Sequence, residues 1–362
     1  MGIHDQPMRA PRSRVRLKDI ADRTGFSVNT VSLALRESPR IAEETRQLIR
    51  DTARALNYLP NQIARSLVER ETRTIGLVLT DILNPTLTQA AQTLERMLGE
   101  RGYSTLFATS NNTLDQELAV VDMFRSRQVD GILAYPTTHQ RIDHMRALRQ
   151  AGYPVVLLVA HPDAEVDVVS VDERRGAYKA TRHLLDLGHR RVGFLDAAHA
   201  LGNNEKREGY LQALAELGVG PVPELVVDPN GHNASHGFDA MYRLMATGRR
   251  PTAVFASNDS LAIGALCWCR KHRLDVPGDL AIVGYDNIEL AQFAAVPLTT
   301  INYAVSRLAR MAVERLMALI QAGDALPPPQ VTQLDPELIV RESSVAHGCG
   351  DGGRRGRGGV SD

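Results

Sequence analysis

Cysteine is scarce in this 362-residue chain, which has three, at positions 267, 269 and 349. So few thiols exclude a disulfide framework and fit a reducing compartment. Cys267 and Cys269 stand two apart on one predicted helix, face different sides, and have no second pair to complete a metal site. No apolar run approaches the roughly 20 residues of a membrane helix. The opening stretch lacks the apolar h-region of a secretory signal, so a cytoplasmic protein with no membrane partner is expected. Catalytic signatures are missing too. There is no G-x-S-x-G nucleophile elbow, no G-x-x-x-x-G-K-[ST] phosphate loop, no G-x-G-x-x-G between a predicted strand and helix, and no H-E-x-x-H. His232 and His236 stand four apart, but at a loop-to-helix junction with no partner ligands evident. The expectation is a chain that is not an enzyme and carries no metal or cofactor.

Net charge is also absent, with 42 basic residues against 42 acidic ones. The balance hides an asymmetry. Residues 1–70 hold 13 Arg and Lys against eight Asp and Glu, leaving 29 against 34 in the remainder. A basic head on an acidic body suits phosphate attraction confined to the head, although the same excess is also compatible with ordinary surface solvation.

The head carries a pattern. Leu17, Ile20 and Ala21 recur at helical intervals, and Gly25 stands where that first helix must stop and turn. Ser27 is placed to cap a second helix through the Thr30 N–H. Val31, Ala34 and Leu35 then point inward, leaving Val28, Asn29, Ser32 and Leu33 outward. A third helix begins near Ala42, with Glu43 and Glu44 favouring its N-terminus. It is expected to bury Leu48, Ile49, Ala53 and Leu56 and to end before Pro60. Two short helices, a tight turn and a bracing third helix predict a helix-turn-helix DNA reader with residues 61–69 beyond it; a small helical bundle with no nucleic-acid role is the plain alternative.

From residue 74 apolar strands alternate with amphipathic helices. Strands are predicted at 75–79, 104–109, 131–135 and 155–159, then in a second series at 168–171, 192–195, 225–227, 253–257 and 281–285. Helical patterns occupy 88–101, 117–127, 176–186 and 261–273. Continuous apolar strands between helices predict parallel sheets covered on both faces. Two series imply two doubly wound lobes, with ligands at the strand carboxyl ends.

The string Leu17-Lys18-Asp19-Ile20-Ala21, then Thr30-Val31-Ser32, Glu43-Glu44-Thr45-Arg46, Leu56-Asn57-Tyr58, Pro60-Asn61 and Ala64-Arg65-Ser66-Leu67, resembles in order and spacing the head of the lactose repressor/galactose repressor (LacI/GalR) family. The resemblance continues to about residue 343. It implies an N-terminal all-α head with a hinge helix, joined to an α/β periplasmic-binding-protein-like core. In residue numbers, 1–14 would be an arm and 15–60 the helix-turn-helix domain. Residues 61–70 would be the hinge helix and 71–343 the effector-binding core. The first lobe would span about 74–171 and 303–328, the second about 172–301 and 331–343, with a Gly/Arg-rich disordered tail at 344–362. Crossings between lobes are expected near Asp172, Asn302 and Val331, with a helix at 306–321 on the first lobe.

The implied function is ligand-responsive repression of transcription by a homodimer on double-stranded, palindromic operator DNA, on the nucleoid. Leucine heptads that would make a tetramer are missing. DNA contacts would come from Ser27, Val28, Asn29, Thr30, Ser32 and Leu33 in the major groove. Asn61, Ala64, Arg65 and Leu67 would act in the minor groove, Leu67 as a wedge between base pairs. A flexible linker is the plain reading of the same segment. Leu33 stands where relatives often carry Arg or His, so a base contact should be lost or replaced by contact with a thymine methyl, while Asn29 is suited to adenine.

For the cleft, the resemblance implies an effector such as a sugar, sugar phosphate or similar polar metabolite held by Arg207, Asn258, Asp286, Asn84, His161 and Asn203. Arginine, asparagine and aspartate together form a typical polyol-binding set. Two readings stand for Asp286, ligand contact or cap of the following helix, and two for His161, ligand contact or solvated loop histidine. Ala160-His161 replaces the Asp-Arg often found in sugar-binding relatives, which counts against a simple hexose. The runner-up is a solute-binding protein that feeds a transporter; the DNA-binding head and the missing signal discriminate against it.

Overall fold

The computed structural model describes residues 15–59, 71–160, 163–197 and 202–345. It divides into two units, residues 1–72 and 73–362. The expected hinge segment, with Asn61, Ala64, Arg65 and Leu67, lies outside the described residues, as does His161.

In the first unit, helix α1 (Leu17–Thr24) starts where the Arg16 backbone N–H donates to the Asp19 carboxylate at 2.7 Å. It ends at Gly25, whose φ of 75° lets its N–H reach the Ala21 carbonyl. Helix α2 (Val28–Leu35) begins with the Ser27 hydroxyl accepting the Thr30 N–H at 3.1 Å. Helix α3 (Glu43–Ala55) braces both. Ile20, Ala21, Val31, Ala34, Ile49 and Ala53 form the core. Leu48 is 51% exposed rather than buried. The inward stripe of α3 runs through Ile49, Thr52, Ala53 and Leu56, and Leu48 falls beside it.

The second unit holds two six-stranded sheets. The strands of the first lobe are β1 (Thr74–Leu79), β2 (Ser104–Thr109), β3 (Gly131–Ala134), β4 (Val155–Leu157) and β5 (Asp167–Val171), interleaved with helices α4 (Pro85–Gly99), α5 (Leu114–Ser126) and α6 (Asp143–Gln150). Helix α7 (Glu173–Asp186) opens the second lobe. There β6 (Val192–Leu195), α8 (Glu205–Glu216), β7 (Val226–Val227), α9 (Ala234–Met245), β8 (Ala253–Ala256), α10 (Asp259–Lys271), β9 (Ala281–Asp286), α11 (Glu289–Phe293) and β10 (Thr299–Asn302) follow. The chain then returns through α12 (Val305–Ala322) and β11 (Val331–Leu334) and ends with β12 (Glu337–Ile339). The sheet orders are β11-β5-β4-β3-β1-β2 and β12-β10-β9-β8-β6-β7, parallel throughout except for β12 against β10.

Two expectations need correction. The 168–171 strand, grouped with the second series but inside the expected first-lobe bounds of 74–171, pairs with β4 and β11 in the first sheet, so it closes the first series. The segment 331–334 also lies in the first sheet, so the third crossing falls at Asp335 and Pro336, later than Val331. The reason is local: β10, β11 and β12 are short, and β11 is largely exposed at a sheet edge. Such strands carry no apolar run to announce them.

Two ionic contacts, one buried and one at the surface, fasten these segments. Asp167, fully buried, accepts Arg149 and Arg315 at 2.6 Å each and the Gln330 N–H at 3.1 Å, tying β5, α6, α12 and the start of β11 together. Arg175 and Lys179 on α7 hold Asp335 at 2.7 and 2.8 Å. Among the described residues, no helix is long and apolar enough to cross a membrane.

Candidate functional site

The outward face of α2 begins with Ser27, Val28 and Asn29, all exposed, Val28 at 45%. The Ser27 and Thr30 hydroxyls lie 2.8 Å apart, so both are engaged in the cap. Ser32 and Leu33 are half-buried, so only part of each side chain is presented. In the same unit Arg16, Lys18, Arg23, Arg36 and Arg40 are exposed, whereas Arg46 and Arg50 are held by Glu43 and Glu37. The basic excess of the head therefore stands on its surface.

The second site is the cleft between the lobes, about 770 Å³ including its open mouth. Strand carboxyl ends and helix N-termini supply its walls, as doubly wound sheets require. Asn84 ends the loop after β1 and caps α4 through the Thr86 N–H at 3.0 Å. Asn258 follows β8, caps α10 through the Leu261 N–H at 2.8 Å and donates to the His232 carbonyl at 3.1 Å. Asp286 ends β9 with φ 111°, a conformation that L residues rarely adopt. It faces Thr86 across the cleft.

Burial pushes the Asp286 carboxyl up to about 7, against the pull of Lys206 and the Thr86 hydroxyl. The neighbouring Asp259 has a different task. It is fully buried, receives the Ile288 N–H at 2.9 Å and the Thr300 hydroxyl at 2.6 Å, and is raised by burial and by Asp286. It braces the loop that presents Asp286 rather than reaching the cleft.

Arg207 does not line the cleft. It pairs with the buried Asp196 at 2.9 Å. The cation in the cleft is Lys206, whose Nζ is 3.2 Å from Glu173 and 4.2 Å from the Tyr285 ring centre. Burial opposes its charge, but Glu173 and Asp286 outweigh that and raise its pKa. Lys206 shares a stripe of the helix with Gly209, Tyr210 and Ala213, all buried, but the stripe of Arg207 with Tyr210 and Leu214 is equally apolar, so periodicity does not separate the two.

Asn203 also lines the cleft, and it spans the lobes. Its Oδ1 accepts the His139 N–H at 2.9 Å and its Nδ2 donates to the Thr137 carbonyl at 3.3 Å. His139 Nδ1 lies 2.9 Å from Glu205 Oε1. Tyr135, Thr137, His139, Glu173, Lys206 and Tyr303 also line the cleft and carried no motif in the sequence. The loop bearing Thr137 and His139 is itself anchored: the buried Glu117 accepts the Thr137 N–H at 2.6 Å and lies 2.8 Å from His144 Nε2.

Residues 16–61 match the family model of bacterial regulatory proteins of the lacI family, and residues 181–344 that of a periplasmic binding protein-like domain. The HTH-type transcriptional repressor PurR of Mannheimia succiniciproducens is 32% identical over 330 residues, which cover 90% of this chain and 98% of the relative. The chain belongs to the lacI family of bacterial regulatory proteins. PurR of Proteus mirabilis is 32% identical over 339 residues, 92% of this chain and 97% of the relative.

Among solved structures, the lac repressor dimer bound to operator and the anti-inducer ONPF has a TM-score of 0.83 at 24% identity, covering 92% of this chain and all of that one. That likeness is one of fold. A transcriptional regulator CelR–cellobiose complex has a TM-score of 0.67 at 27% identity, with 91% and 100% covered. Within this lacI-family frame, the cleft of the present chain carries Lys206, Asp286, Asn84, Asn203 and Asn258, with Arg207 turned away to Asp196.

Proposed function

We propose that the protein is a homodimeric transcriptional repressor that binds a palindromic operator and is controlled by a neutral, hydroxyl-bearing metabolite in the cleft. The observation that carries the effector class is the pairing of Lys206. Its charge is already met by Glu173 and Asp286, so little positive charge is left over for a phosphate or carboxylate. Asn84, Asn258, Asp286, Tyr135 and Tyr303 offer donors and acceptors of the kind that orient a polyol or nucleoside. His161 and Asn203 belong to the same proposal. Asn203 would act by joining the lobes, so that closure on the effector and closure of the cleft become one event.

On DNA, α2 would enter the major groove with Val28 and Asn29 foremost, Ser27 and Thr30 setting its start and Ser32 and Leu33 completing the face. Residues 61–70 would pair with their copies in the minor groove, Leu67 opening a base step. Effector and operator binding are then thermodynamically coupled in both directions.

Selection of binding sites from random duplex DNA by the purified protein tests the DNA reading. A palindrome with a flexible central step is expected, and salt-sensitive binding without any enriched site, with and without pooled sugars and nucleosides, would overturn it. On the selected site, Leu67→Ala should lose both affinity and bend; a gel-shift bend assay that finds both unchanged removes the wedge. Calorimetry with neutral sugars and nucleosides against their phosphates tests the effector class, and preference for the phosphates would refute it.

A further inference from the structure

Three side chains far apart in sequence converge where the lobes meet. His139 comes from the loop after β3 in the first lobe, Glu173 from the first turn of α7, and Glu205 from the first turn of α8 in the second lobe. One nitrogen and one carboxylate oxygen from each glutamate all lie within 4.8 Å of one another. His139 is 6% exposed, and the Glu173 and Glu205 side chains are 13% and 18% exposed. We propose that His139, Glu173 and Glu205 bind one divalent transition-metal ion that ties the two lobes together.

Four observations support the site. The donor set is one imidazole and two carboxylates, which suits a borderline ion of the zinc class; calcium and magnesium prefer oxygen alone. Ligand bonds of about 2.0–2.2 Å separate neighbouring donors by about 3–4 Å, so the three atoms need small shifts only.

Glu205 Oε2 is buried without a hydrogen-bond partner among the described residues, and the ion would take the place of the proton that His139 Nδ1 and Glu205 Oε1 share. A cavity next to the cluster is lined by Asp172, Glu173, Glu205 and Glu208, with Arg174 as its basic residue, and Arg174 is drawn off to Gln212 at 3.0 Å. A local excess of carboxylates favours a cation. Lys206 is the competitor for Glu173, and Asp286 and the Tyr285 ring remain to hold it when the ion binds.

Asn203 fixes the His139 backbone against the second lobe, so the imidazole is delivered to the glutamates in the closed arrangement. The ion would therefore stabilise closure from the rim, beside the effector and independently of its identity.

The test uses the full-length protein stripped of metal with a chelator and titrated with Co2+, followed by visible absorption and calorimetry. One Co2+ per chain, displaced by Zn2+, is expected. His139→Gln and Glu205→Gln should each weaken it by about tenfold or more, with circular dichroism melting curves showing that the variants remain folded. Absence of saturable binding, or binding that neither variant weakens, overturns the site in favour of a plain histidine–glutamate hydrogen bond. Anomalous diffraction from Co2+-containing crystals of the unmodified protein gives the same decision without variants. A peak among the three side chains supports the site, and peaks only elsewhere refute it.

Discussion

Lys206 and Arg207 are adjacent cations with opposite surroundings. Lys206 looks into the cleft, and Arg207 neutralises the buried Asp196. Lys206→Gln should therefore abolish or severely weaken effector binding in calorimetry. Arg207→Gln should leave effector affinity near that of the parent and instead lower stability by about 1–3 kcal/mol, because a buried carboxylate loses its charged partner. The reverse pattern in binding and melting experiments would return Arg207 to the effector site.

Asp286 makes a second prediction at this scale. Its carboxyl rises from an ordinary 3.8 to about 7 because burial disfavours the charge. The folded state thus holds this proton more tightly than the unfolded chain. Its contribution to stability is complete below about 4 and is lost as pH climbs towards 7. Asp286→Asn should flatten that part of the stability–pH curve, and an unaltered slope between about pH 4 and 7 would show that the proton sits elsewhere. If the effector donates hydroxyl protons to this carboxylate, its affinity should increase as pH passes through 7 in the parent and not in the variant.

At the scale of elements, helices are set against one another closely and the crossings are fixed by charge. Gly209 on α8 has the Arg174 carbonyl 2.0 Å from where a Cβ would stand, and Gly264 on α10 has the Ala234 carbonyl at the same distance. Both positions need the missing side chain for close approach of backbones. Asp167 joins four segments of the first lobe, so Asp167→Ala leaves the buried Arg149 and the half-buried Arg315 without their anion. A loss of about 3–5 kcal/mol is expected, read as a lower urea midpoint. A change within about 0.5 kcal/mol would show that the arginines are rescued by other partners.

Glu117 works similarly on a smaller piece of chain. It holds the Thr137 N–H and His144, and so positions the loop that delivers His139 to the second lobe. The cleft therefore depends on a buried carboxylate that does not line it.

For the whole molecule, the proposed coupling of DNA and effector would require two copies. The edge strand β2 leaves Phe107 61% exposed, and Ile82, Leu83 and Leu118 are also exposed on the first lobe. Exposed apolar side chains along an unpaired edge are a liability unless covered. A second copy is the occupant that the repressor reading requires. Phe107→Glu should shift sedimentation equilibrium towards monomer and weaken operator binding by the loss of a second half-site, while the melting of the isolated chain stays close to the parent. A dimer of unaltered affinity would place the interface on another face.

The helix-turn-helix head is legible in the linear chain, because caps, a turn glycine and inward residues are all local signals. Gly25, Ser27 and the stripe through Val31 and Ala34 fall where the pattern put them. The buried parallel strands β1 and β8 were equally legible, since strands buried on both faces read as apolar runs. Asn84, Asn203, Asn258 and Asp286 were identified through resemblance to a family, and all four line the cleft.

Tertiary structure alone decided the rest. It assigned 331–334 to the first sheet, because that edge strand is short and carries no apolar run. It chose Lys206 over Arg207, because which of two adjacent cations turns inward depends on the face that α8 buries against α7. It brought His139 to Glu173 and Glu205, because residues 34 and 66 positions apart meet only when two lobes close on each other. Contacts within one turn or strand are written in neighbouring residues; contacts between lobes are set by how the chain crosses.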